Sequence, residues 1–179
     1  MKKVLKFAPL CALLLAVVVF ILMMAGHSVV YTSDAARNWY SGVSAIFGGG
    51  TAQITISGFG ISLSSGVQEV DAKLAWNALL AWIFVVAALV LLLISSVTVF
   101  VKIKPLEKFG GLIALISAGL LLVAGIFLFF TVPAFAGANE WNNADGWGLG
   151  AAWVIGAILA IVAGAVSAFP AVLALVEKK

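Results

Sequence analysis

Four apolar runs, at about residues 7–27, 74–101, 109–132 and 148–176, contain no Asp, Glu, Lys or Arg. Each has about the twenty residues, or more, that a helix needs to cross a bilayer. A backbone in hydrocarbon must satisfy its own polar groups, so such runs fold as helices that pack together. Composition agrees: 64% of the 179 residues are hydrophobic and 9% are charged. Soluble domains carry about half and about a quarter. The expected fold class is an all-α integral membrane protein, a single domain built as a four-transmembrane-helix bundle. It should carry a small extracellular α/β loop, an amphipathic helix plus a β-hairpin.

The first run follows Lys2, Lys3 and Lys6 and could be taken for a signal peptide. A signal peptide has a shorter apolar core, about 7–15 residues, and then a small-x-small cleavage site. Here the run is longer and Met24-Ala25-Gly26-His27 is a poor site, so an uncleaved first span is expected. The single cysteine, Cys11, lies within this span, which excludes a disulfide inside the chain. It reads as a buried thiol acting as a small hydrophobe.

Orientation follows from the basic residues. Lys2, Lys3, Lys6, Lys102, Lys104, Lys108, Lys178 and Lys179 flank one side of the spans; Arg37 and Lys73 flank the other. Positive charge stays inside, so both termini are expected in the cytoplasm. The expected setting is the plasma membrane, crossed several times. The loops at 28–73 and 133–147 then lie outside, with all six tryptophans and both tyrosines in the outer half. An outer aromatic cluster that packs the loops down is expected.

The outer loop at 28–73 divides into three parts. From Ser33, an N-cap residue, Ala36, Trp39, Tyr40, Val43, Ile46 and Phe47 recur at helical spacing up to Gly48-Gly49-Gly50. That predicts an amphipathic helix. Next, residues 53–64 alternate apolar and polar around Gly58-Phe59, which predicts a hairpin with a tight turn. The register expected pairs Ile56 with Ile61, Ile54 with Leu63 and Thr55 with Ser62, placing all four apolar side chains on one covered face. Finally, Ser65-Gly66-Val67-Gln68 reads as a capping box. It would start the second span outside the membrane, as a mast for the loop. The second outer loop, with Asn139, Asn142, Asn143 and Asp145, shows turn chemistry rather than a binding motif.

The chemistry needed for many activities is missing. An ion-coupled carrier would be expected to hold an ionisable residue inside the membrane, and the spans contain none apart from His27 at an outer end. Ser/His/Asp sets, metal clusters and phosphate loops are not seen either, so no catalytic, cofactor-binding or metal-ligating residue is assigned, and no enzyme is expected. The basic residues form no patch of the kind nucleic acid requires. What the spans do offer is packing. Gly156, Ala160 and Gly164 form a small-residue stripe on the fourth span, where helix backbones can approach closely.

Cytoplasmic termini, a first outer loop of this size with β-structure, and a short second loop give a layout that resembles the claudin and peripheral-myelin-protein group. Residues 68–74, leading into the second span, are loosely similar to the amphipathic segment that enters it in claudins. The signature of that group's first loop, Trp…Gly-Leu-Trp…Cys…Cys, is absent, although Trp39 is present. The resemblance implies architecture and no functional residues. Absent outer cysteines and Asn-x-Ser/Thr sites are compatible with a bacterial plasma membrane.

The expected function is non-enzymatic. The chain would act by protein–protein contact, as a scaffold, an adhesion-type element or an accessory subunit of a membrane complex. Trp39, Tyr40, Ile54, Ile56, Ile61, Leu63, Trp141 and Trp147 are the expected outer contact residues. The bilayer, and further copies or other subunits, are the expected partners. The alternative is a protein that binds or transports a lipid or small molecule, with an apolar pocket under the outer loop near Trp76, Trp82 and Trp153.

Overall fold

The computed structural model describes residues 7–33, 36–58, 61–101, 104–141 and 145–176. Four long helices, α1 (Ala8–Ala25), α3 (Trp76–Phe100), α4 (Lys104–Phe129) and α6 (Ala151–Val176), are apolar and long enough to cross a membrane. They make a closed ring in which α1 packs on α3 and α6, and α4 packs on the same two. The multi-pass bundle thus follows from length and hydropathy.

The bundle is small inside and large outside. On α1 the buried residues are Ala12, Ala16, Val19 and Met23, and on α3 Ala78, Ala81, Val85, Ala88 and Leu92. These steps of three and four mark one face of each helix, the pattern of near-parallel packing. Leu14, Ile21, Leu93 and Ile158 point outward instead. Lipid solvates them as well as a core would, so close packing of small residues holds the helices together. Two side chains tie helices directly: Asn77 Nδ2 donates to the Phe127 carbonyl at 2.9 Å, and Ser167 Oγ to the Ala114 carbonyl at 2.9 Å. Cys11 is exposed on α1, contrary to the buried thiol expected.

Both inter-helix segments at one end of the bundle combine into one antiparallel sheet. Its strands are β1 (His27–Thr32), β2 (Ala36–Ser41), β3 (Thr51–Gly58), β4 (Ile61–Glu69) and β5 (Trp147–Leu149), in the order β4-β3-β2-β1-β5. Two short helices complete the end, α2 (Gly42–Phe47) and α5 (Thr131–Ala138). Four long apolar helices and a small sheet are compatible with a tetraspan layout.

The expected amphipathic helix from Ser33 is corrected. Ala36 to Ser41 is strand, and only Gly42–Phe47 is helical. Ser33 serves a turn: its Oγ accepts from Ala36 N–H at 3.0 Å, and its N–H donates to the Ala36 carbonyl at 2.8 Å. The true N-cap is Ser41, whose Oγ accepts from Ser44 N–H. Serine side chains satisfy turns and helix starts by the same local bonds, and the β-branched and aromatic run from Val29 to Tyr40 favours sheet.

The capping box is corrected too. Ser65 Oγ accepts from the Ile54 N–H across the hairpin at 3.1 Å, at an irregularity where the register shifts. Gly66 has φ +69°, a conformation outside the helix, and β4 continues to Glu69. Helix α3 starts only at Trp76, so the second span is no mast. Pro133 sits in the first turn of α5, where proline costs no internal hydrogen bond.

Candidate functional site

The hairpin β3–β4 differs from its expected register. Ile56 pairs with Leu63, Thr55 with Ser64 and Gly58 with Ile61. Gly58 is therefore a strand residue; Phe59 and the side chain of Ile61 lie outside the described residues. Each pairing has moved by two residues, and a shift of two keeps every side chain on its face. Ile54, Ile56 and Leu63 do share a face as expected. That face is not covered. Ile54 is 45% exposed, Ile56 58% and Leu63 72%.

The other half of the sheet is pinned down by aromatic side chains. Trp141 and Trp147 stack at 4.1 Å, and Tyr40 lies 5.7 and 5.9 Å from them. Phe135, fully buried on α5, meets Tyr40 at 5.1 Å and Trp141 edge-on at 5.4 Å. Tyr31 adds a contact to Trp147 at 5.1 Å. Burial raises the Tyr40 pKa above its ordinary 10.0. Spacing of single aromatics in two separate loops gave no sign of which would meet; the pairing of β5 with β1 brings them together.

Three glycines let the sheet lie this close to the bundle. A methyl at Gly42 would overlap the Met23 carbonyl oxygen, and one at Gly150 the His27 carbonyl oxygen. One at Gly26 would overlap Ala152. The backbones meet there: Gly42 N–H donates to the Gly26 carbonyl at 2.8 Å and Gly150 N–H to the Ser28 carbonyl at 2.9 Å. A further clamp holds the segment before α3. Asn139 Oδ1 accepts from Lys73 N–H at 2.8 Å, its Nδ2 donates to the Lys73 carbonyl at 3.1 Å, and Lys73 Nζ reaches Glu140 at 2.6 Å.

Trp39 lies on the opposite face of the sheet from Tyr40. Its Nε1–H donates to Gln53 Oε1 at 2.7 Å, and Gln53 Nε2 donates to Ser64 Oγ at 2.7 Å. This side-chain chain stitches β2, β3 and β4. The His27 ring lies 4.0 Å from that of Trp39, tilted by 36°. Partial burial, and then the Arg37 guanidinium, lower its pKa from the ordinary 6.5.

Gly156, Ala160 and Gly164 are all buried on α6. A methyl at Gly164 would press on the Ala118 carbonyl oxygen at 2.9 Å, whereas at Gly156 it would make ordinary contact with Leu22 at 3.8 Å. The stripe therefore faces this chain's own helices. Gly125 on α4, not singled out from sequence, is equally tight against the Ala157 carbonyl at 2.8 Å. Among the described residues no group of three His, Cys, Asp or Glu could hold a metal ion. Lys2, Lys3, Lys6, Lys102, Lys178 and Lys179, which carry most of the orientation expectation, lie outside the described residues, as do Asn142 and Asn143. No protein-family model matches the chain, and no curated protein matches it.

Proposed function

We propose that this chain is a non-enzymatic membrane protein that works by protein–protein contact, through the hairpin β3–β4. It would serve as a scaffold, an adhesion-type element or an accessory subunit of a membrane complex. In this reading it lies in the plasma membrane, with both termini cytoplasmic and the sheet outside. A claudin-like layout belongs to the same proposal.

The observation that carries it is the exposed apolar face of Ile54, Ile56 and Leu63 on the edge hairpin. Strand β4 is the last of the sheet, and among the described residues nothing pairs with its second edge. Natural edge strands are commonly blunted by lysine, proline or inward charges. The nine residues ISLSSGVQE contain neither lysine nor proline, and their one charge is at the end. An apolar face beside an open edge suits a partner that adds both side-chain and backbone contacts.

The test is a cysteine at Leu63 in a Cys11→Ala background. An impermeant thiol reagent should label it in intact cells, while a cysteine at Lys104 should stay unlabelled. A short thiol crosslinker should then convert the Leu63→Cys protein into larger covalent species in native membranes. Reversed labelling would sink the orientation, and purely monomeric product would sink the contact reading.

A second reading, binding of a small apolar molecule, is favoured by one cavity of about 350 Å3 beside strands β2 and β3. Tyr40, Ile54, Val70, Trp141 and Trp147 line it, with Asn38, whose buried Oδ1 has no hydrogen-bond partner among the described residues. It lies at the aromatic cluster rather than near Trp76, Trp82 and Trp153.

A further inference from the structure

The face of the sheet that carries Trp39 is chemically unlike the face that carries Ile54. Two cavities open on it and share a wall made of His27 and Trp39. One, of about 360 Å3, continues past Val30 to Arg37 and Thr55. The other, of about 330 Å3, runs down to Met24, Ala25 and Gly26 at the end of membrane helix α1, with Val43 beside it. Together they make a path from the hydrocarbon end of a spanning helix to an exposed guanidinium.

We propose that this path holds an anionic phospholipid, its phosphate on Arg37 and its chains beside the end of α1. Charge selects the ligand. At this end of the molecule Lys73 is engaged by Glu140, whereas Arg37 has no ion pair among the described residues. No acidic side chain lines either cavity. Arg37 thus presents its positive charge to the first of these cavities, the one that it lines. A guanidinium offers a planar fork of donors that fits phosphate oxygens two at a time. His27, whose pKa is lowered by partial burial and by Arg37, adds little charge of its own, so among the described residues that line the two cavities Arg37 is the cationic one. The indole of Trp39 suits the interface between headgroup and chain, where tryptophan is enriched. Thr55 adds a hydroxyl for the headgroup, since the Gln53 amide is already engaged with Trp39 and Ser64. The proposal does not rest on the contact reading, because it uses the opposite face of the sheet.

The test is native mass spectrometry of the purified protein with equimolar phosphatidylglycerol and phosphatidylcholine. The unaltered protein should retain phosphatidylglycerol about tenfold more, because phosphatidylcholine has the same phosphodiester but its ammonium offsets the negative charge that Arg37 attracts. Arg37→Gln should bring the ratio close to one, Arg37→Lys should keep part of it, and Lys73→Gln should leave it unchanged. Brominated-chain phosphatidylglycerol should quench tryptophan emission, and Trp39→Phe should remove a share of that quenching; this readout leaves Arg37 untouched. No preference in the unaltered protein, or a preference that survives Arg37→Gln, would overturn the assignment. Release of the lipid by millimolar inorganic phosphate would overturn the lipid part, since an anion alone would then satisfy the site.

Discussion

At one end of the sheet Val29 is fully buried, Tyr40 touches buried Phe135, and Trp147 lies stacked on Trp141. At the other end Leu63 is 72% exposed and Ile56 58%, with β3 and β4 packed mainly on each other and on β2. Both halves are rich in apolar side chains, so hydrophobicity alone does not explain which is covered. The difference lies in what stands beneath. Strands β1 and β5 run directly into α1 and α6 and must lie against the bundle, where Gly26, Gly42 and Gly150 allow backbone contact. The β3–β4 hairpin is held by the β2 ladder and by the chain from Trp39 through Gln53 to Ser64. One half is part of the fold; the other is carried by it.

The largest contrast should come from truncating one apolar side chain in each half. Phe135→Ala, at a fully buried site, should cost about 4 kcal/mol, the usual price of emptying an aromatic core position. Leu63→Ala should change stability by no more than about 0.5 kcal/mol, as exposed substitutions do. Thermal melts in one detergent would compare them, and similar losses would erase the distinction between the halves.

The small-residue stripe sharpens the same comparison inside the bundle. Gly164→Ala would force a methyl against a carbonyl oxygen and should cost about 1–3 kcal/mol by overpacking. Gly156→Ala should be close to neutral, because its methyl would meet Leu22 at ordinary distance. Equal costs would mean that the α4–α6 seam is looser than described. Gln53→Ala should cost less than Gly164→Ala, about 1 kcal/mol for the lost hydrogen bonds, and protease cleavage should rise in the hairpin before the rest of the chain.

The smallest effect concerns Lys73 and Glu140. Lys73 holds Glu140 below its ordinary value of 4.5, through its hydrogen bond and then its charge. A lowered carboxylate pKa stabilises the fold above the unfolded value and loses that contribution as pH falls through the folded value. Melting temperature should therefore drop slightly as pH falls below that ordinary value, and Lys73→Met should remove the pH-dependent part. Both side chains are exposed, so screening keeps the effect small.

The bundle was legible in the sequence because lipid leaves a backbone so few choices. An uncharged apolar run of twenty residues is read as a spanning helix whatever surrounds it. The sheet was only half legible. Strict alternation from Gln53 to Ser57 and from Gly60 to Ser64 marked the hairpin, and its period of two kept Ile54, Ile56 and Leu63 on one face although the pairs had moved. Ser33 and Ser65 misled, since a serine that could cap a helix serves equally well in a turn or across a bulge. The pairing of Val29 with Leu149 spans two loops, and no local pattern announces a contact between residues so far apart. For the candidate site, Ile54, Ile56 and Leu63 share the face that their alternation implied, but burial was expected where there is exposure. A two-stranded hairpin needs support, and that support comes edge-on from β2 rather than from anything lying on its apolar face.

The central claim is that the Ile56 face is free in the monomer and used in contact. Native mass in a mild detergent, measured beside a thermal melt, tests it with Ile56→Asp and Thr55→Asp. Thr55 is the next residue and lies on the opposite face of the sheet. The account predicts that the unaltered protein and Thr55→Asp run as assemblies, while Ile56→Asp falls to the monomer with its melting temperature unchanged. A clear loss of melting temperature in Ile56→Asp would contradict it, because that face would then be covered by the chain's own packing.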